Sequence, residues 1–467
     1  MRILIFHGYM LRGTGSNIYN ANLAQALVRL GHEVHLLCQD RETKIEGVHI
    51  HNPDIGGLLP VYVKDPYEGF EVKAFPELTD EELDRYIDSN VTAVRQVAEQ
   101  AGGVDAALAN HLVMGPAILA RANISSFAAK IHGSALEYTV KPHPRFLPCA
   151  IEGMEAASGV LVGSRHTAES LWAALPDALG LREKTRLGPP GVDTEAFRPR
   201  VLSQGEGGLR AGAGPPFSAP LPPRHPRRIV FVGKLIVSKG VDLLLAAWPL
   251  VRARHPDARL GIAGFGEYEG GLRRLLAALE RGDLDDAREV ARLGRGLEGG
   301  SAEPLPILSA FLASPPDGYL KAVQSAAGSV EFIGRLEHSE VAELLPHAEA
   351  LVMPSTFPEA FGMVAVEAAA CGAFPVSADH SGMREVSRQL AAALPPEIGR
   401  LTSFPVAEGA VEAIAERLNG WLSLPEEERA AARRTLVETV GRLWSWEGVA
   451  EGVVAASRGE LDRLPLA

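Results

Sequence analysis

The chain opens on a short apolar run, Ile3-Leu4-Ile5-Phe6, followed directly by His7-Gly8, which predicts a first strand. A loop holding Arg12-Gly13-Thr14-Gly15-Ser16 leads into apolar residues at helical spacing, Ile18, Leu23, Ala26, Leu27 and Leu30. Gly31 stops that helix, and Val34 to Cys38 reads as the next strand. The opening is therefore a βαβ unit, which predicts a parallel sheet. Ala106 to Ala109, Ala128 to Ile131 and Gly159 to Val162 read as further strands separated by helical stretches, so the first half is doubly wound α/β.

Between Arg200 and Arg228 the composition turns to Gly and Pro, including Gly205-Glu206-Gly207-Gly208 and Pro215-Pro216, and reads as a linker over 201–228. A second α/β series then begins at Ile229-Val230-Phe231-Val232-Gly233 and continues through Leu260 to Gly264, Val330 to Ile333 and Ala350 to Met353. Four segments follow: an N-terminal domain over 1–200, the linker, a second domain over 229–440, and a C-terminal segment over 441–467. The stretch from about 267 to 329 is too long for one helix-to-strand connection and reads as an insertion. Its first half is helical in pattern, and Gly299-Gly300 with Pro304, Pro306, Pro315 and Pro316 break the second.

At 467 residues the chain exceeds one hydrophobic core, in keeping with two domains. With 58 acidic against 46 basic side chains the net charge is −12, and no Lys/Arg cluster stands out, so nucleic acid is not an expected partner. A small anionic ligand needs only a few positive groups and remains compatible. Cys38, Cys149 and Cys371 lack metal-ligand spacing and read as reduced, buried thiols. No window approaches the ~18 consecutive apolar residues of a membrane span, so a cytoplasmic protein is expected, with peripheral membrane contact left open.

The most informative segment runs from Pro354 to Glu367, Pro-Ser-Thr-Phe-Pro-Glu-Ala-Phe-Gly-Met-Val-Ala-Val-Glu, after a strand and into a helix that ends near Cys371-Gly372. Two carboxylates, Glu359 and Glu367, flank a glycine at a helix start. The backbone N–H groups of Gly362, Met363 and Val364, beside Phe361, suit an anion such as a diphosphate, and Gly362 permits close approach. Eight residues of helical rise would span ~12 Å, the reach of a sugar joined through a diphosphate to a ribose. Glu359 would then hold sugar hydroxyls and Glu367 ribose hydroxyls. Alone, two such glutamates fit a solvated surface better than a site, and it is the strand before them and the small-residue helix after them that favour the site.

This segment, with its small-residue helix and Cys-Gly, resembles the E-x7-E signature of glycosyltransferase family four. Other landmarks of that family follow in order over nearly the whole chain. Gly188 to Pro199 resembles the close of the first domain, and Phe231-Val232-Gly233-Lys234 with Ser238-Lys239-Gly240 resembles the diphosphate loop. Phe332-Ile333-Gly334-Arg335-Leu336 resembles the strand end beside the nucleobase, and Arg442 to Glu447 the final helix, which returns to the N-terminal domain. The resemblance implies a GT-B fold, two Rossmann-like domains facing across a cleft, and retaining transfer of a sugar, a hexosyl group by expectation, from a nucleoside-diphosphate donor to an acceptor hydroxyl. It makes His132 and Glu359 the catalytic candidates. Donor binding falls to Gly13, Gly15, Gly233, Lys234, Lys239, Arg335, Phe361, Gly362, Met363, Val364 and Glu367. His111, Glu137 and Tyr138 fall on the acceptor side. No metal or cofactor is expected, because Lys234 and Lys239 offset the diphosphate charge. Lys234 stands where the family usually has Arg, and keeps the charge without the bidentate fork.

Bland readings stand beside these: solvated lysines, loop histidines at His111 and His132, and an ordinary turn at Gly13 and Gly15. Ala373-Phe374-Pro375-Val376 and Ser381-Gly382 depart from the family pattern near the donor site. Rival functions are a nucleotide-sugar epimerase, a glycosyl phosphorylase and a sugar-binding relative without activity. A nicotinamide oxidoreductase is disfavoured because G-x-G-x-x-G is missing after the first strand. Donor sugar and base, acceptor and oligomeric state are not legible.

Overall fold

The computed structural model describes residues 1–13, 15–62, 67–200 and 227–467. Thr14 of the glycine loop and the Gly/Pro-rich segment through residue 226 lie outside them. Two compact units result: Met1–Gly191 with Trp444–Ala467, and Val192–Leu443.

The first unit is built on β1 (Arg2–Phe6), β2 (Glu33–Leu37) and β3 (Val48–His51), then the small pair β4 (Leu58–Val61) and β5 (Glu71–Ala74), then β6 (Ala106–Asn110), β7 (Phe127–Ile131), β8 (Gly159–Val162) and β9 (Thr185–Leu187). Seven of these form one parallel sheet in the order β3-β2-β1-β6-β7-β8-β9. Strand order reverses between β1 and β6, so the carboxyl ends of those strands are where a ligand crevice forms in such sheets. β1 is apolar from Ile3 to Phe6 because that stretch is covered on both faces. Ile3 and Ile5 pack with Leu23, Leu27 and Trp446, while Leu4 and Phe6 pack with Val94, Ile118 and Phe127.

The second unit holds β10 (Arg228–Val232), β11 (Arg259–Ala263), β12 (Val330–Gly334), β13 (Ala350–Met353), β14 (Phe374–Ala378) and β15 (Ser403–Phe404). They form a second parallel sheet in the order β12-β11-β10-β13-β14-β15. This sheet reverses between β10 and β13.

Three sequence expectations differ from the structure. The second unit begins at Val192 rather than at residue 229: Phe197 packs its ring 4.8 Å from His338, and Arg200 pairs with Glu343. The Arg442–Glu447 motif does not lie inside one helix. The helix Glu426–Leu443 ends there, and Ser445 caps a new one, Trp446–Ser457, by accepting from the Gly448 N–H at 3.3 Å. In the insertion one of the four prolines starts a helix, while Pro304, Pro315 and Pro316 lie outside helices as expected. Pro306 opens Pro306–Ala313, because a missing N–H costs nothing in a first turn, and Tyr319–Ala326 follows. The insertion is tied to the helix Val241–Arg252, whose Ala246 carbonyl accepts from the Tyr319 hydroxyl at 2.8 Å.

Two of the three thiols, Cys38 and Cys371, are buried, and Cys149 is half-buried; all three are free. Among the described residues no helix is long and apolar enough to cross a membrane.

Candidate functional site

In the second unit the candidate donor residues follow the carboxyl ends of β10, β12 and β13, and the loop after β11 joins them. These loops are stitched by backbone bonds: Gly233 N–H to Ala263 at 3.0 Å, Gly264 N–H to Gly334 at 2.8 Å, and Leu235 N–H to Phe265 at 2.8 Å. Past Gly233 and the half-buried Lys234, a turn of 3₁₀ helix, Val237–Lys239, ends at Gly240 with φ +66°. Gly240 is required twice over. Its φ is left-handed, and a Cβ there would overlap the Pro354 carbonyl oxygen. Gly240→Ala is expected to lower stability by roughly 1–3 kcal/mol, read as a fall in melting temperature by calorimetry. A melting temperature equal to the parent's would show that the two loops are not held as described.

The contact at Gly240 positions Lys239. Thr356 N–H donates to the Ser238 carbonyl at 2.9 Å, which docks the segment after β13 onto the turn. The Lys239 ammonium then pairs with Glu359. The Ser355 hydroxyl donates to the same carboxylate oxygen at 2.8 Å. Backbone bonds fix Glu359 in turn, its N–H donating to Ser381 Oγ at 2.9 Å and its carbonyl accepting from the Gly382 N–H at 2.9 Å. Ser381, at φ +49°, is one of the positions that depart from the family pattern, and here its side chain holds Glu359.

The helix after the Phe-Gly pair starts at Met363, with Gly362 at φ +104° preceding it. The spacing of the two glutamates is therefore half loop and half helix, and the ~12 Å of continuous helical rise expected from the sequence does not apply. Phe361 is buried, while Met363 and Val364 are half-buried. Glu367 lies one turn into the helix, 3% exposed, and accepts from His338 Nε2 at 2.9 Å. Burial pulls His338 down, but the Glu367 bond and the charges of Glu367 and Asp193 outweigh it and raise its pKa above the ordinary value. Arg335 lies over the Phe265 ring, 5.0 Å from its centroid, and pairs with Glu337 at 3.1 Å. Lys239 and Glu359 are thus brought together; Glu367 sits apart from them on a histidine.

In the first unit, Gly13 has φ +92° and Gly15 opens the helix Gly15–Arg29. His7 follows β1, Asn110 ends β6 with His111 beyond it, and His132 follows β7, so all converge at the strand-order reversal. His132 Nε2 bonds Asn110 Oδ1 at 2.8 Å, and its ring meets Tyr19 edge-on with centroids 5.1 Å apart. Burial, then the fields of His111, Lys130 and His7, hold His132 well below the ordinary histidine pKa. His111 is buried at φ +69°, and neither ring nitrogen has a hydrogen-bond partner. Burial and His7 keep it neutral. Glu137 is spoken for by Lys141 at 2.8 Å and by the Ser170 hydroxyl at 2.7 Å, whereas Tyr138 is exposed.

Sequence reading missed His338, His7, Asn17 and Asn20, and it placed Ser355 and Ser381 near the donor site without giving them a role. The two asparagines on an otherwise apolar helical face were the available signal, since a buried amide demands partners. The others come from distant loops and carry no local signature.

Among the described residues no group of three or more His, Cys, Asp or Glu is arranged to hold a metal. The model described as Glycosyltransferase Family 4 matches residues 13–196, and two described as Glycosyl transferases group 1 match 226–294 and 323–435. Glycogen synthase of Mycobacterium tuberculosis (strain ATCC 25618 / H37Rv) is 30% identical over 54% of this chain and 49% of its own length. The match thus spans about half of that relative. D-inositol 3-phosphate glycosyltransferase of Jonesia denitrificans is 26% identical over 94% of this chain and 90% of its own. Among solved structures, a glycosyltransferase from Rickettsia africae aligns over 98% of this chain and 97% of its own at TM-score 0.58 and 14% identity. Anabaena HepE in complex with UDP and glucose aligns over 97% and 98% at TM-score 0.55 and 14% identity. The fold is that of a GT-B glycosyltransferase. Models of glycosyltransferase families thus match in both halves of the chain.

Proposed function

We propose that this enzyme is a retaining glycosyltransferase that moves a hexosyl group from a nucleoside-diphosphate sugar to an acceptor hydroxyl without a metal. The observation that carries the reading is the Lys239–Glu359 pair on two interlocked loops beside the start of the helix Met363–Ala370. The lysine meets diphosphate charge, the carboxylate takes sugar hydroxyls, and free N–H groups at the helix start add to the anion site. In the reaction the acceptor oxygen bonds the anomeric carbon on the leaving-group face. The bond from that carbon to the diphosphate oxygen breaks, its electron pair staying with the diphosphate, and the acceptor's proton passes to the same leaving group. Lys234 and Lys239 stabilise the charge that develops there. The relatives support a nucleotide donor, one being solved with UDP and glucose.

Thermal-shift measurements with UDP-, ADP- and GDP-sugars and their free nucleoside diphosphates test the reading. At least one nucleotide should raise the melting temperature, because a ligand bound only by the native state stabilises it by mass action. If none does at millimolar concentration, and none is turned over, the donor assignment fails.

A further inference from the structure

The polar groups at the carboxyl ends of β1, β6 and β7 form one unbroken hydrogen-bond chain, and its directions are fixed at each step. Asn17 donates from Nδ2 to the Arg12 carbonyl at 2.6 Å, Asn20 to the Ser16 carbonyl at 2.8 Å, and Asn110 to the Phe6 carbonyl at 3.1 Å. A carbonyl only accepts, so each amide is pinned with its NH₂ on the backbone and its Oδ1 the other way. His7 Nε2 faces the Met10 carbonyl at 3.0 Å and Asn17 Oδ1 at 2.9 Å, two acceptors, and must carry the proton. His7 Nδ1 faces the Asn20 NH₂ at 3.0 Å and must be a lone pair. Asn20 Oδ1 accepts from the Asn110 NH₂ at 2.7 Å, which leaves Asn110 Oδ1 for His132 Nε2.

We infer that Asn110, oriented by Phe6, Asn20 and His7, is a positioning residue that locks His132 as the Nε2–H tautomer and leaves Nδ1 as a hydrogen-bond acceptor for a substrate hydroxyl. The inference rests on the glycosyltransferase reading for its substrate and on the hydrogen-bond chain for its geometry. A neutral ring whose available nitrogen is a lone pair takes a hydrogen bond from a hydroxyl and does not supply positive charge to the leaving group. The partner chosen at Nε2 fits this role. An amide oxygen fixes the tautomer without favouring the imidazolium, which a carboxylate there would do. The titratable groups facing His132 are His111 beyond β6, Lys130 on β7, His7 beyond β1 and Tyr19 on the helix Gly15–Arg29. The Lys130 ammonium donates to the Gly188 carbonyl, and its pKa is lowered by burial to about 7. A second positive charge on His132 is therefore opposed at this end of the sheet.

Ring-nitrogen NMR of the full-length protein with isotope-labelled histidine, assigned by His132→Gln, tests this without any substrate. The parent should show His132 as a neutral Nε2–H ring from about pH 6 to about pH 8. An Nδ1–H ring, or an imidazolium near neutral pH, overturns the inference. Asn110→Asp places a carboxylate against Nε2 and should raise the His132 titration midpoint by about one to two units. Since only the neutral ring accepts at Nδ1, the acid limb of the turnover profile should move up in pH with it. An unmoved midpoint in a folded Asn110→Asp protein also overturns the inference, and if that variant does not fold the parent spectrum decides alone. Absence of any nucleotide binding would sink the proposed function while leaving the ring-nitrogen pattern as it stands, so the two failures are distinguishable.

Discussion

Lys239→Ala is expected to cut nucleotide-sugar turnover by about 10- to 150-fold, the loss that follows from removing a charge-assisted contact of ~1.5–3 kcal/mol. The ammonium stands on a turn fixed by Gly240 and by the Thr356–Ser238 bond, and it already faces Glu359. Its removal takes away positive charge at the diphosphate and at the same time leaves the carboxylate, among the described residues, with the Ser355 hydroxyl alone. Charge on the leaving group grows in the transition state, so the effect belongs mainly in the catalytic rate. Free nucleoside, lacking the diphosphate, should bind the variant almost as well as the parent. Lys239→Arg should retain part of the activity, since charge is kept and the fit to Glu359 is changed. Parent-level turnover in a folded Lys239→Ala protein, measured as nucleoside diphosphate released, would take this lysine out of the site.

The two doubly wound sheets were legible because their strands are short apolar runs between helical periods, a pattern that burial on both faces enforces. The Pro354–Glu367 segment was legible because a strand, a Phe-Gly pair and a small-residue helix stand adjacent in sequence. What it does with its carboxylates was not. Glu359 is defined by Lys239 and Ser381, Glu367 by His338, and each of those partners arrives from a different loop at a strand end. Sequence spacing measures distance along one element, and the spacing of the two glutamates crosses from loop to helix at Gly362. The hydrogen-bond chain to His132 was hidden for the same reason, as it joins residues up to 104 positions apart through side-chain amides. The unit boundary was misplaced at Arg200 because Val192 to Arg200 has a loop's composition, and contacts distant in sequence, such as Phe197–His338 and Arg200–Glu343, assign it to the second unit.

The stability of the second unit should fall as pH rises toward neutrality, through Asp242. This residue is the second of the helix Val241–Arg252, directly after the Lys239 turn, and is 3% exposed. Burial raises its pKa from 3.8 to about 7, against the smaller opposing effect of backbone N–H bonds from Asp242 and Leu243. The folded state therefore holds a proton that the unfolded chain has released. The corresponding stability is fully present below the unfolded pKa and is lost progressively as pH rises to the folded value, beyond which stability stays level. At ~1.4 kcal/mol per unit the whole effect is at most roughly 4 kcal/mol. Asp242→Asn keeps the shape and removes the titration. Its advantage over the parent, measured by urea unfolding, should grow by about 2–3 kcal/mol between pH 5 and pH 8. The same slope with pH in both proteins would mean that Asp242 is ionised in the folded state and is held by groups other than the two backbone N–H donors. The position of this carboxyl gives the measurement a second use, because a diphosphate bound at the neighbouring Lys239 turn brings negative charge that opposes ionisation of Asp242. Nucleotide-induced stabilisation of the parent should then be smaller at pH 8 than at pH 6, and should show no such difference in Asp242→Asn.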